Sequence, residues 1–313
     1  MIEVSVISPA FNEKENIFPL FNYFKEFCKK NNLQNWELIL IDDGSNDGTF
    51  EQAIEWIKKN KFDKIKVIKH KKNLGKTHAI LSGVKEAQGK IIVIYDADMQ
   101  YTLEDAFKLV KKLKEENLDI VAGWKQGKYE KKFVSYIYNW LSRKLFKIPI
   151  HDMNAMKALK KEVFDKITLR KDWHRYIIPL AYEKGFKIGE EKVILKPRKY
   201  GKAKYSSPFR ILIGFFDLLA VKFQFSFMRK PLLFFGTMGL LSIFAGIIIG
   251  IISFYLRFFK HIGYRPLLYL VILLIISGLI LISMGFIGEI VANLYDEFES
   301  LKNSFKDFKK DAG

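Results

Sequence analysis

Two stretches near the C-terminal end of this chain carry no charge. Leu232–Leu256 (LLFFGTMGLLSIFAGIIIGIISFYL) runs without a single Asp, Glu, Lys or Arg. Leu267–Gly288 is likewise uncharged, and its apolar pattern continues past Glu289 to about Tyr295. As helices rising about 1.5 Å per residue, each reaches across a hydrocarbon core of about 30 Å. Two core helices of a soluble protein are the competing reading, and the lengths favour membrane spans. The expected organisation is a soluble domain over 1–206 and a juxtamembrane helix over 207–230. Spans then cover 231–257 and 267–295, with an external loop at 258–266 and a tail at 296–313.

The chain opens Met1-Ile-Glu-Val-Ser, a strand-like start without the basic and apolar regions of a signal peptide. The N-terminal domain is therefore expected in the cytoplasm, carried by an integral protein of the cell membrane. Lys222, Arg229 and Lys230 precede the first span, and Lys302, Lys306, Lys309 and Lys310 follow the second. The connecting loop also carries Arg257, Lys260 and Arg265, so the positive-inside asymmetry is real but not clean. Two spans return the chain to its starting side, which puts both termini in the cytoplasm.

With 52 Lys and Arg against 34 Asp and Glu, the formal net charge is +18. Beside two membrane spans, that charge points to anionic lipid headgroups and phosphate-bearing substrates, not to nucleic acid. Cys28 is the only cysteine, which excludes an intramolecular disulfide and any multi-cysteine metal site. His70, His78, His151, His174 and His261 are scattered without zinc-ligand spacing. Oligomeric state stays open, a homo-oligomer included.

The first 125 residues alternate two patterns. Val4–Ser8, Trp36–Ile41, Ile65–Ile68, Ile91–Tyr95 and Ile120–Gly123 are short apolar runs rich in β-branched residues. Between them lie amphipathic segments at Ile17–Lys30, Thr49–Lys59, Thr77–Ala87 and Leu103–Glu116. Such alternation predicts an α/β domain whose mostly parallel sheet is covered by helices. Ligands in these sheets bind beyond the carboxyl ends of the strands.

Three strand ends carry acids. SPAFNE ends in Glu13, IDDGSNDGT brings Asp42, Asp43 and Asp47, and DADMQ brings Asp96 and Asp98. Singly, each has a plain alternative: a helix start capped by Asn12, a tight turn, a solvated turn. If the three strands are neighbours, their loops converge on one carboxylate-lined pocket. Asp96 and Asp98, two apart on an extended segment, point to one side and repel each other unless a cation lies between them.

Residues 124–206 are less regular. WKQGKYEKK is a basic stretch suited to closing over a substrate, HDMNAMKALKKEVFDKI a loop entering a helix, and DWHRYIIPLAYEKG a second helix. ILKPRKYGKAKYSSP is a Lys- and Gly-rich loop. At helical spacing Phe209, Leu212, Phe216, Leu219 and Phe223 share one face, as in a helix lying in the membrane interface or packed in a core.

SPAFNE, IDDGS with NDGT, NLGK (Asn73–Lys76), DADMQ, the WHRYIIP helix and the PRKYGKAKY loop together resemble a family-2 glycosyltransferase of GT-A, Rossmann-like fold. Within it the chain is similar to polyprenyl-phosphate glycosyltransferases such as dolichyl-phosphate mannose synthases and undecaprenyl-phosphate glucosyltransferases. The resemblance spans nearly the whole chain. It implies a nucleotide pocket bounded by Pro9, Phe11 and Glu13, with Asp42 on the base or ribose and Asp43, Lys76, Ala97 and Lys125 completing the donor site. It also implies Asp96 and Asp98 around metal and diphosphate, with Gln100 assisting, and Asp96, Asp98 and Arg198 as the catalytic set. Arg198, Lys202 and Lys204 would hold donor diphosphate or acceptor phosphate. The chain departs from the family at Trp124-Lys125, where many relatives have arginine, and at Ala155-Met156-Lys157, where many have Gly-Phe-Arg. Lysine keeps the charge there but loses the bidentate geometry of arginine.

The residue types suit that chemistry. A nucleotide-sugar leaving group gathers charge on its diphosphate, which a hard divalent cation, Mg²⁺ or Mn²⁺, neutralises through oxygen ligands. Asp96, Asp98 and Gln100 supply such ligands. A lipid monophosphate is largely dianionic at neutral pH and already nucleophilic, so no general base is assigned. Cations are needed to bring it beside the donor, and Lys125, Lys128, Arg175, Arg198, Lys202 and Lys204 form the pool. His174 stands beside Arg175 on the acceptor side. Asp152 and Asn154 orient sugar or acceptor, or simply cap a loop. The expected reaction is inverting transfer of mannose or glucose from GDP-mannose or UDP-glucose to dolichyl or undecaprenyl phosphate. A UDP-N-acetylhexosamine donor, another lipid acceptor and a non-catalytic membrane scaffold are the alternatives. No Q-x-x-R-W motif of processive synthases is present.

Overall fold

The computed structural model describes residues 1–127, 132–198, 209–227, 230–263 and 265–311. The chain divides into two compact units, Met1–Arg210 and Ile211–Gly313.

In the first unit, strands β1 (Val4–Ala10), β2 (Trp36–Asp42), β3 (Ile65–Lys69), β4 (Ile91–Ile94) and β5 (Ile120–Gln126) coincide with the five apolar runs. Helices α1 (Lys14–Lys30), α2 (Thr49–Asn60), α3 (Lys76–Glu86) and α4 (Leu103–Glu115) connect them. β6 (Lys157–Lys160) and β7 (Ile188–Ile194) complete a seven-stranded sheet in the order β3-β2-β1-β4-β6-β5-β7. Only β6 runs against the others, paired antiparallel to both β4 and β5. Every residue of β2 is buried, as expected for a strand covered on both faces. α1 lays Ile17, Leu20, Phe21, Phe24 and Phe27 into that core, with Cys28 buried beside them.

β2, β1 and β4 are adjacent, so the three acidic strand ends do lie side by side. β1 leads outward through β2 to β3, and the chain then returns to the other side of β1 as β4. That reversal is the switch point at which open α/β sheets leave a crevice.

The later residues fold differently from their expected pattern. The segment taken as a loop entering a helix contains β6 before the short α6 (Val163–Lys166). Lysines at both ends of KALK hide a strand that is nevertheless buried over three of its residues. β7 was not foreseen because it lies at the sheet edge, where Glu190, Glu191 and Lys192 keep its flank polar. A 3₁₀ turn (Trp173–Tyr176) and α7 (Ile177–Glu183) form the expected WHRYIIP helix, and α5 (Lys132–Phe146) follows β5.

The second unit holds α8 (Phe209–Phe227), which starts at its boundary, α9 (Pro231–Phe259) and α10 (Arg265–Asp311). On α8, Leu218 and Val221 are buried, whereas Phe216, Leu219 and Phe223 of the foreseen apolar face are exposed. α9 and the Arg265–Phe298 part of α10 are long and apolar enough to cross a membrane. They pair as an antiparallel hairpin through small residues: a Cβ on Gly239 would come within 2.6 Å of the Gly278 carbonyl oxygen. Ser242 donates to the Leu274 carbonyl at 2.8 Å across the same seam. Close backbone approach at small residues is how helices associate where lipid removes the hydrophobic drive.

Candidate active site

The loops after β1 and β2 are knitted together by hydrogen bonds. The Asn12 amide donates to Ser45 Oγ at 2.8 Å, while the Asn46 amide donates to Asn12 Oδ1 at 3.0 Å. The Glu13 amide donates to Thr49 Oγ1 and the Lys14 amide to Asp47. Asn12 therefore clamps the neighbouring loop, with φ 53°, and is not the N-cap of α1; Glu13 holds that position. Gly44, at φ +74°, lets this loop pass the 72–73 backbone, where a Cβ would sit 2.5 Å from the Lys72 carbonyl carbon.

Asp42 and Asp43 have separate tasks. Asp43 accepts from the Leu74 and Gly75 amides at 3.0 and 2.8 Å and is bonded to His70 Nδ1 at 2.7 Å. His70 is held in turn by Ser82 through Nε2 at 2.9 Å. The carboxylate thus shapes the turn that delivers Lys76 at the start of α3. Asp42 accepts from the Ser45 amide through Oδ1, but its buried Oδ2 has no partner among the described residues. At the opposite end of these strands, buried Glu37 is satisfied by Ser5, the Gln88 amide and Lys66. An unpaired buried acceptor beside the crevice is a place for a ligand donor.

DADMQ is set by a tight turn after β4. Tyr95, buried, donates its hydroxyl to the Tyr101 carbonyl at 2.7 Å, and Met99 takes φ 51°. Thr102 and Asp105 form a capping box that starts α4 at once. Asp96 and Asp98 emerge on this turn, each met by a cation: Lys76 Nζ lies 2.5 Å from Asp96, and Arg198 lies 2.7 Å from Asp98. Arg198 also reaches Glu13 at 3.8 Å, so the ends of β1 and β4 share one guanidinium.

The two carboxyls titrate in opposite directions. Burial works to raise the Asp96 pKa, but Lys76, with Lys157 and Arg198, holds it below the ordinary value. For Asp98, burial and the neighbouring Asp96 charge raise the pKa, against the pull of Arg198. The Asp96 side chain is 42% accessible. Water there partly screens its pair with Lys76.

Further along the sheet ends, Lys125 at the end of β5 pairs with buried Asp152 at 3.2 Å. Asp152 also accepts from the Asn154 amide at 2.9 Å, while the rest of Asn154 is exposed. Lys157 is buried, and the charges of Asp152 and Asp96 both act on it. His174 exchanges contacts with Thr77, one residue beyond Lys76. Arg175 is half-buried without a partner among the described residues. Pro9 and Phe11 stand half-buried on the β1 end, and Ala97 is buried in the DADMQ turn. Lys128, Lys202 and Lys204 lie outside the described residues.

Residues 5–168 match the family described as Glycosyl transferase family 2. The chain belongs to that family. A relative in Rhizobium johnstonii, dodecaprenyl-phosphate galacturonate synthase, is 30% identical over 94% of this chain and 89% of its own. Undecaprenyl-phosphate 4-deoxy-4-formamido-L-arabinose transferase of Proteus mirabilis is 26% identical over 97% of this chain and 92% of its own. Glucosyl-3-phosphoglycerate synthase from Mycobacterium tuberculosis, solved with Mn²⁺, UDP-glucose and phosphoglyceric acid, superposes with TM-score 0.55 at 17% identity. That superposition covers 72% of this chain and 79% of the solved one, and it establishes a GT-A-like fold.

In this glycosyltransferase the donor set fits a hard divalent cation. Asp96 and Asp98 offer carboxylate oxygens at one turn, and each is balanced by a side-chain cation. The Gln100 side chain points elsewhere, its amide nitrogen donating to the Lys196 carbonyl at 3.2 Å. A cavity of about 470 Å³ lined by Tyr23, Met99, Tyr101 and Lys196 shares no residue with the carboxylate site. His70 and Thr77 are the supports that sequence reasoning missed, because neither stands in a motif and both act through a neighbour.

Proposed function

We propose that this glycosyltransferase moves a sugar from a nucleoside diphosphate donor to a polyprenyl phosphate at a membrane surface. The observation that carries the reading is the Asp96–Asp98 turn at the switch point, with Lys76 and Arg198 on its two carboxylates. Donor recognition would use Asp42 through its open Oδ2, with Pro9, Phe11 and Glu13 closing the pocket and Asp43 presenting Lys76. Asp96 and Asp98 would hold Mg²⁺ or Mn²⁺, with Gln100 able to join after releasing Lys196. The ion, when bound, neutralises the diphosphate leaving group. Arg198 and Lys76 would hold the phosphates of the donor.

The acceptor phosphate needs cations, not a base, and Lys125, Arg175 and His174, with Lys128, Lys202 and Lys204 of the same sequence pool, would supply them. Attack on an α-linked donor from the opposite face would invert the anomeric centre. A polyprenyl chain leaves the bilayer only at about 0.8 kcal/mol per CH₂ exposed, so the enzyme must come to the lipid. α9 and α10 would serve as the spans, both termini in the cytoplasm. The exposed apolar face of α8, and Tyr136, Ile137 and Trp140 exposed on α5 beside Lys144, suit contact with lipid headgroups.

The resemblance favours mannose or glucose as the sugar, while the curated relatives bear the names of galacturonate and formamido-arabinose. The test is the full-length protein in liposomes containing polyprenyl phosphate, with Mn²⁺ and a panel of GDP-mannose, UDP-glucose, UDP-N-acetylglucosamine and UDP-galacturonate. Product mass reports the sugar. Absence of any lipid-linked product across the panel would overturn the reading.

A further inference from the structure

Lys157 is the one strongly buried lysine near the site that has no carboxylate partner among the described residues. It lies on β6 opposite Ile94, two residues before Asp96, and opposite Ala122 of β5. Only 5% of it is exposed, and its ammonium donates to the Ala155 carbonyl at 3.0 Å. The neighbouring lysines are already matched, Lys76 with Asp96 and Lys125 with Asp152. Burial, and then repulsion from Lys76, push its pKa down to about 8, against the pull of Asp152 and Asp96. An ammonium has three donors, and one is used here. A neutral side chain of similar volume would suit the fold better, since burying an unpaired charge is costly. The two donors left over are the feature that a ligand would complete.

We propose that Lys157 makes this site selective for a donor sugar that carries a carboxylate, a uronic acid in place of a neutral hexose. The inference rests on the sugar-transfer reading and names its substrate class. One unpaired ammonium with two open donors matches a monoanion that accepts two hydrogen bonds. The diphosphate is served by Arg198, Lys76 and the metal carboxylates. The relative that is 30% identical over 94% of the chain is named for galacturonate.

UDP-galacturonate and UDP-galactose differ only at C6, carboxylate against hydroxymethyl, and form the decisive pair. With full-length protein in polyprenyl-phosphate liposomes, kcat/KM is expected to favour the acid. Lys157→Met is expected to lower that preference about 10- to 100-fold, the effect of losing a charged hydrogen bond, and Lys157→Arg to keep most of it. Calorimetry of the two donors without acceptor should show the same loss in affinity ratio. A wild type that uses or binds neutral donors and not UDP-galacturonate overturns the proposal. So does an equal loss for both donors, or a change confined to the KM for polyprenyl phosphate. If no donor supports transfer, the transfer reading falls, while the calorimetric ratio still decides the role of Lys157.

Discussion

Arg198 donates to the Asp98 carboxylate at 2.7 Å from a position one hundred residues further along the chain. The guanidinium stands where a bound cation would be felt. Removing it as Arg198→Ala is expected to tighten Mn²⁺ binding several-fold, because a competing positive charge is gone, while transfer falls at least about 10-fold. Titration of Mn²⁺ by calorimetry reads the first effect independently of turnover. Unchanged Mn²⁺ affinity would separate Arg198 from the metal site.

Asp98→Ala is expected to abolish transfer and leave the fold intact. Burial and the neighbouring Asp96 charge act against the ionised carboxylate, which offsets the ion pair with Arg198 that the substitution breaks. Circular dichroism and product formation measure the two outcomes. Near wild-type transfer would remove Asp98 from the metal set.

Asp43→Ala strips the acceptor from two backbone amides and from His70. Loss of hydrogen bonds to a charged group costs roughly 2–4 kcal/mol here, and the turn presenting Lys76 loosens. Urea denaturation should report the destabilisation, and the donor KM should rise. His70→Leu should move both in the same direction by less.

Lys157 links stability to pH. Its folded pKa of about 8 lies below the ordinary lysine value of 10.5, so the folded state binds fewer protons between those limits. Stability from this group therefore rises as pH climbs from about 8 to about 10.5, and its cost is fully present below that window. At pH 7, Lys157→Met is expected to be more stable than wild type by on the order of 1–3 kcal/mol. The advantage should shrink as pH rises through the window. Thermal melts at pH 7 and pH 10 give the comparison.

Gly239→Val tests the helix hairpin of the second unit. The added carbons would meet the Gly278 carbonyl oxygen, which cannot step aside as a side-chain end can. The α9–α10 pair should lose thermal stability in detergent, and Gly250→Ala, with only ordinary contact to Val271, should be tolerated. Equal melting temperatures would show that the seam is looser than its glycines imply.

Five strands could be read from sequence because a strand buried on both faces must be a continuous apolar run, as WELILID is. β6 and β7 escaped that rule. KALK carries a lysine in a buried strand, which breaks the apolar run, and IGEEKVI is charged because it edges the sheet. The site divides in the same way. Asp42, Asp96 and Asp98 stand at strand ends inside recognisable motifs, whereas the tasks of Asp43, His70 and Lys157 depend on what lies across the sheet.

The order of residues alone determined that this chain would have an α/β sheet with acids at three strand ends and two apolar helices after it. Apolar periodicity and span length are local properties, and they survive without knowledge of the fold. Only the tertiary structure decided that β2, β1 and β4 are neighbours, that Lys76 and Arg198 balance Asp96 and Asp98, and that Lys157 makes no ion pair among the described residues. Those facts concern pairs of groups distant in sequence. Coulomb energy and hydrogen bonding depend on separations of a few ångströms, which the path of the chain sets and no local pattern encodes.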